Sequence, residues 1–119
     1  MIDLKRVSQV AEECAREAGG YIIERMGTLK EVSHKTGRNN LVTDVDKMSE
    51  KIIIARIKEV FPGHSILAEE SGYLDRKTNE ALWIIDPLDG TTNYAHGFPF
   101  FCVSIGVAVN NIIMAGVVY

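Results

Sequence analysis

Two aspartates stand three residues apart in the run WIIDPLDGTTNY, residues 83–94. Trp83, Ile84 and Ile85 read as an apolar strand that delivers Asp86 at its carboxyl end. Pro87 then breaks the ladder, because it has no N–H to give, and Asp89 follows on a turn. Carboxylates so close repel one another unless a cation lies between them, and hard oxygen ligands select magnesium, manganese or calcium over zinc. Glu69, in the run AEES at 68–71 and at the end of another expected strand, offers a third carboxylate. Gly90 lets the backbone approach a ligand closely, and the amides of Gly90, Thr91 and Thr92 could open a short helix whose amino end attracts phosphate. The residue types alone therefore point to a hard-metal site.

Each of these residues also has an ordinary use. DPLDG places Asp and Gly where a plain turn wants them. Glu69 and Glu70 are otherwise a solvated pair of charges. Asp46 stands three residues after Thr43 and can close a capping box, although Glu or Gln is preferred there. His34, His64 and His96 show no ligand spacing and read as surface or loop residues, and Lys35 lies in a polar loop.

The elements that must position these groups are legible from periodicity. Leu4, Val7, Ala11, Ala15, Ala18, Ile22 and Met26 recur at three- and four-residue steps, the stripe of an amphipathic helix that Gly27 would end. The Gly19-Gly20 pair within it implies a kink or a close contact. Residues 28–42 turn polar, as a loop or a ragged hairpin. A second helix is expected from Thr43 to about Val60, facing inward through Val45, Met48, Ile52, Ala55 or Arg56, and Ile57 or Val60, with Phe61-Pro62-Gly63 as its stop. Strands are expected at 65–68, 82–86 and 101–109. In the last, bulky Phe101, Val103, Ile105, Val107 and Val109 alternate with Cys102, Ser104, Gly106, Ala108 and Asn110, and the small face is expected to take a packed helix. Asn110-Asn111 reads as a hairpin turn, with Ile112 to Tyr119 as the returning strand. That strand would leave an apolar edge and face uncovered.

Bulk properties narrow the class. The chain of 119 residues is 46% apolar and 24% charged with a formal net charge of −3, the balance of an ordinary soluble domain and no reason to expect a nucleic-acid partner. Cys14 and Cys102 lie outside any CxxC spacing and read as reduced core residues. No apolar run approaches the roughly 18 residues of a membrane span, and the opening MIDLKRVSQV lacks the hydrophobic stretch of a signal peptide, so no membrane partner and a cytoplasmic location are expected.

The segment DPLDGTTNY resembles, at every position, the signature of the inositol monophosphatase family, Asp-Pro-(Ile/Leu)-Asp-Gly-Thr-x-Asn-(Phe/Tyr). LVTDVDK at 41–47, AEESG at 68–72 and HGFPFFCVSIGVAV at 96–109 are similar to the family in the same order. The resemblance implies a layered α/β sandwich of the sugar phosphatase type, an α+β fold whose amino-terminal helices pack on a mainly antiparallel sheet. It implies a magnesium-dependent phosphatase with two or three Mg2+ ions per complete site and a small phosphomonoester as substrate. Glu69, Asp86 and the Leu88 carbonyl resemble ligands of the first ion, and Asp86 and Asp89 ligands of the second. Asp46 and Thr91 match the pair that positions and deprotonates the attacking water, with Glu69 beside them. Asp89 and the amides of Gly90 and Thr91 match the substrate phosphate site, and Lys35 falls near a lysine in a mobile loop.

On that resemblance residues 1–119 are the amino-terminal part of a single domain whose carboxy-terminal half, with a further metal ligand and most substrate contacts, is absent. The expected reaction is hydrolysis of myo-inositol monophosphate by direct attack of water, in a homodimer. Fructose-1,6-bisphosphatase or another sugar or nucleotide phosphatase of the same family is the alternative. A non-catalytic half-domain that self-associates is another.

Overall fold

The computed structural model describes residues 2–26, 32–34, 41–76 and 81–119, and at residues 32–34, 41, 42 and 73 the backbone alone. Gly27 and Lys35 therefore lie outside the described residues. In chain order the elements are α1 (Leu4–Glu24), β1 (Val32–His34), β2 (Leu41–Thr43), α2 (Asp44–Val60), β3 (Ser65–Ala68), β4 (Tyr73–Asp75), β5 (Leu82–Asp89), α3 (Thr91–Ala95), β6 (Cys102–Val109) and β7 (Ile112–Val118). β1 and β2 pair antiparallel where the sequence left a loop or a ragged hairpin open, and the other strands form one sheet in the order β4-β3-β5-β6-β7. Only the β3–β5 pairing is parallel within it. The expected α+β sandwich with a mainly antiparallel sheet is what the chain forms.

α1 opens on Asp3, whose side chain accepts the Arg6 amide, and buries Val7, Val10, Ala11, Cys14, Ala15, Ala18 and Ile22. Of the stripe read from the sequence, Val7, Ala11, Ala15, Ala18 and Ile22 are thus buried, Leu4 and Met26 only half-buried, and the helix ends at Glu24. Gly19 serves a close approach: a Cβ there would lie 2.6 Å from the Tyr119 ring. α1 packs beside α2 and over β6 and β7.

The expected inward face of α2 needs correction. Met48 is exposed and Ile52 only half-buried, whereas Val45, Asp46, Ser49, Glu50, Ile53 and Ile57 are buried. The helix is rotated from its apolar stripe because the polar groups of its first turns bond to loops at one end of the sheet. The expected covering of β6 is also reversed. Val103, Ile105 and Val107 join the core under the helices, and Cys102, Ser104 and Gly106 stay half-exposed on the other face. Bulky side chains contribute more apolar area to the layer the helices close, and that decides the side.

Asn110 and Asn111 both take positive φ, 52° and 65°, so the hairpin into β7 has the turn expected of them. β7 is an edge of the sheet, and Ile112, Ile113, Met114 and Val118 are 48–71% exposed. β4, a short edge strand against β3, carried no sequence signal.

Candidate active site

The site is built where β3 and β5 run parallel and end together. Ala68 is the Cα partner of Ile85, and the Glu69 amide donates to the Ile85 carbonyl at 3.1 Å, so Glu69 leaves the sheet beside Asp86. The β5–β6 register shifts between Asp86 and Asp89, around Pro87, and Asp89 faces Cys102. The expected end of the strand at Asp86 and turn at Asp89 need correction: β5 runs on through Pro87 to Asp89, because the missing Pro N–H costs the ladder only a shift of register, and both aspartates lie at one end of the sheet.

Asp86 is half-buried, and its carboxyl is pushed up to about 6 by burial first and then by Asp89 and Glu69, against the Leu88 amide that donates to it at 3.3 Å. Asp89 and Glu69 are exposed. Among the described residues no group of three or more His, Cys, Asp or Glu side chains is arranged to hold a metal ion. The donor chemistry nevertheless fits a hard divalent cation, because the carboxylates of Glu69, Asp86 and Asp89 and the Leu88 carbonyl are all hard oxygen donors at one end of the sheet.

Asp46 does two jobs at once. Its Oδ1 accepts the Thr43 amide at 3.0 Å and the Thr43 hydroxyl, while its own amide donates to Thr43 Oγ1 at 3.2 Å, completing the capping box of α2. Its Oδ2 accepts from Thr91 Oγ1 at 2.7 Å. Both residues are buried, and Thr91 also lies 3.0 Å from the Leu88 carbonyl. A hydroxyl has one proton, so it donates to one of these acceptors at a time.

Gly90 caps α3 with φ 94°, where a Cβ would meet the Phe100 carbonyl at 2.9 Å and Phe101 Cα at 3.2 Å. Glycine is required for that packing as well as for the turn. Asn93 holds the same Phe100 carbonyl at 2.9 Å, and Tyr94 donates to the Ile22 carbonyl at 2.7 Å, tying α3 to α1. A cleft of about 480 Å³ opens beside Asp89, Gly90, Asn93, Phe100 and Cys102.

The sequence missed several neighbours. Cys102 is half-buried, with its thiol 4.0 Å from Asp89 Oδ2, and is no core residue; Cys14 is buried as expected, and both are free. His64 is buried, contrary to the surface reading, because its Nδ1 accepts the Trp83 indole N–H at 2.9 Å and its ring stacks on Phe61. His96 is exposed. Ser49 and Glu50 of α2 also reach the site, and nothing in the local sequence marks them.

The profile of the inositol monophosphatase family matches residues 3–119. The chain belongs to that family. It is 44% identical over 117 residues to an inositol-1-monophosphatase of Synechocystis sp., covering 98% of this chain and 41% of that protein. Against inositol monophosphatase 1 of Homo sapiens the identity is 47% over 108 residues, 88% of this chain and 39% of that protein. The crystal structure of extragenic suppressor protein suhB from Bartonella henselae matches with a TM-score of 0.89 at 37% identity, over 96% of this chain and 45% of that one. The chain thus spans less than half the length of these family members. No helix among its described residues is long and apolar enough to cross a membrane.

Proposed function

We propose that the domain to which these residues belong, as its amino-terminal part, hydrolyses phosphomonoesters with magnesium, converting myo-inositol monophosphate to inositol and phosphate by direct attack of water. The bond between Thr91 Oγ1 and Asp46 Oδ2, 2.7 Å across 45 residues of sequence, carries the proposal. While Thr91 donates to Asp46, its lone pairs are left to accept from an attacking water, and the proton that water loses passes along the pair to the Asp46 carboxylate. Glu69 orients the same water from the end of β3. The amides of Gly90 and Thr91, with Asp89 beside them, receive the phosphoryl group. Glu69, Asp86, Asp89 and the Leu88 carbonyl, completed by a further ligand from the carboxy-terminal half, would hold two or three magnesium ions, whose charge would neutralise phosphate oxygens and favour loss of the alkoxide. The setting is a cytoplasmic homodimer acting on a small molecule.

Phosphate release from myo-inositol 1-phosphate, from fructose 1,6-bisphosphate and from a bisphosphorylated nucleotide tests this, in a chain extended to the length of its relatives. Release should need magnesium, favour the inositol ester and vanish with Asp89→Asn. More than a few per cent of activity remaining in that variant at saturating magnesium would sink the site assignment. The 119-residue chain itself should bind magnesium weakly and turn over very poorly.

A second reading, a half-domain that self-associates without catalysis, is favoured by one observation, the exposed apolar residues of the β7 edge. Light scattering on residues 1–119 should then show dimers or larger species, whereas a monodisperse monomer overturns it.

A further inference from the structure

The carboxylates in question sit on two segments: Glu69 on the turn leaving β3, Asp86 and Asp89 on either side of the register shift near the end of β5. The β3–β5 ladder sets Glu69 beside Asp86 and goes no further than the Glu69 amide on Ile85, so beyond it the repulsion of like charges needs another anchor. Consecutive residues of α2 reach one segment each. Ser49, 0% exposed, donates its hydroxyl at 2.8 Å to the carbonyl of Pro87, the residue between Asp86 and Leu88. Glu50, 6% exposed, accepts the Ser71 amide on its Oε2 at 3.2 Å, two residues beyond Glu69.

We infer that Ser49 and Glu50 are positioning residues, which fasten the turn after Glu69 and the Asp86–Asp89 bulge to one helix and so, with the β3–β5 ladder, fix the spacing of the metal-binding carboxylates. The inference rests on the phosphatase reading above. Both residues occupy the buried face of a helix, where an apolar side chain would cost nothing and an unpartnered carboxylate a great deal. Each is matched instead to a backbone group of one segment. Because they are neighbours on one helix, the two segments cannot drift apart without bending α2 or breaking a bond. Asp46, one turn earlier on the same face, adds Thr91 to the set. The polar edge of α2 thus bonds to Thr91, to Pro87 and to the turn after Glu69, and the helix is a ruler for these three. A bland alternative is that each bond merely satisfies a buried group, with no bearing on the cation.

Magnesium affinity separates the two. On the 119-residue chain, Mg2+ binding is measured by titration calorimetry, and melting is followed in EDTA and in excess Mg2+. Glu50→Ala and Ser49→Ala should each weaken binding about tenfold, in the range of changes that orient metal ligands indirectly. The gap between the two melting temperatures should shrink accordingly. Glu50→Gln, which keeps an oxygen for the Ser71 amide, should restore most of the affinity, and it decides the matter with Ser49→Ala where Glu50→Ala fails to fold. Asp89→Asn guards the underlying reading. Loss of Mg2+ in Asp89→Asn with wild-type affinity in the Glu50 and Ser49 variants overturns the inference and leaves the site standing. Equal falls in melting temperature with and without Mg2+ at unchanged affinity overturn it too. Wild-type affinity in Asp89→Asn, or no binding by the wild-type chain, brings down the reading and the inference together.

Discussion

α1 and α2 lie side by side over the same sheet, yet they bury different chemistry. The inner face of α1 is Val7, Val10, Ala11, Ala15, Ala18 and Ile22. The inner face of α2 begins with the cap Thr43, sets Asp46, Ser49 and Glu50 around a single apolar residue, Val45, and is wholly apolar only from Ile53 to Ile57. Apolar burial is non-directional and scales with area, so it stabilises without specifying much about where a neighbour's atoms lie. Polar burial is tolerated only with matched partners at hydrogen-bond distance, so it specifies position. α1 holds the fold, and the first turns of α2 hold the site.

That contrast is most exposed to test at Asp46. In a chain of full family length, Asp46→Asn should reduce turnover at least about a hundredfold, the usual contribution of a positioned base. Melting should hardly move, because the Asn oxygen keeps both Thr43 bonds and its NH2 can donate to Thr91 Oγ1, whose own proton then goes to the Leu88 carbonyl. Unchanged turnover would make Asp46 a cap and nothing more. The opposite profile belongs to Ile22→Ala in α1, which should cost about 2–5 kcal/mol in urea unfolding as a buried cavity does. Magnesium affinity should stay where it was. A parallel loss of affinity would mean that α1 shapes the site as well.

A smaller effect concerns pH. Burial and its acidic neighbours raise the Asp86 carboxyl in the fold from the ordinary 3.8 to about 6, so the folded chain binds its proton more tightly than the unfolded one. The contribution is therefore complete below the unfolded value and is lost as pH rises through about 6. Melting in EDTA should fall across that window, and excess magnesium, which takes the ionised form, should reverse the trend. A slope that magnesium does not alter would separate Asp86 from the cation. The smallest effect returns to α1. Gly20→Ala should gain about 0.5–1 kcal/mol of helix propensity, since nothing lies within 4 Å of a Cβ there. Gly19→Ala should gain less, because its Cβ must displace the Tyr119 ring.

Sequence by itself determined what depends on local pattern. The α1 stripe, the Thr43 cap, the stop at Phe61-Pro62-Gly63, the Asn110-Asn111 turn and the strand delivering Asp86 are all consequences of side chains near one another in the chain. So is the DPLDGTTNY signature. Tertiary structure alone decided which face of α2 turns inward, which face of β6 meets the helices, why His64 is buried and what Gly19 makes room for. It also decided that Asp46 both caps α2 and meets Thr91. The reason is common to these cases: hydrophobic periodicity reports apolar burial, and a polar residue looks solvated until its partner is known. Those partners lie far along the chain, 45 residues for Asp46 and Thr91, 38 for Ser49 and Pro87, 21 for Glu50 and Ser71. Only the folded sheet brings them within bonding distance.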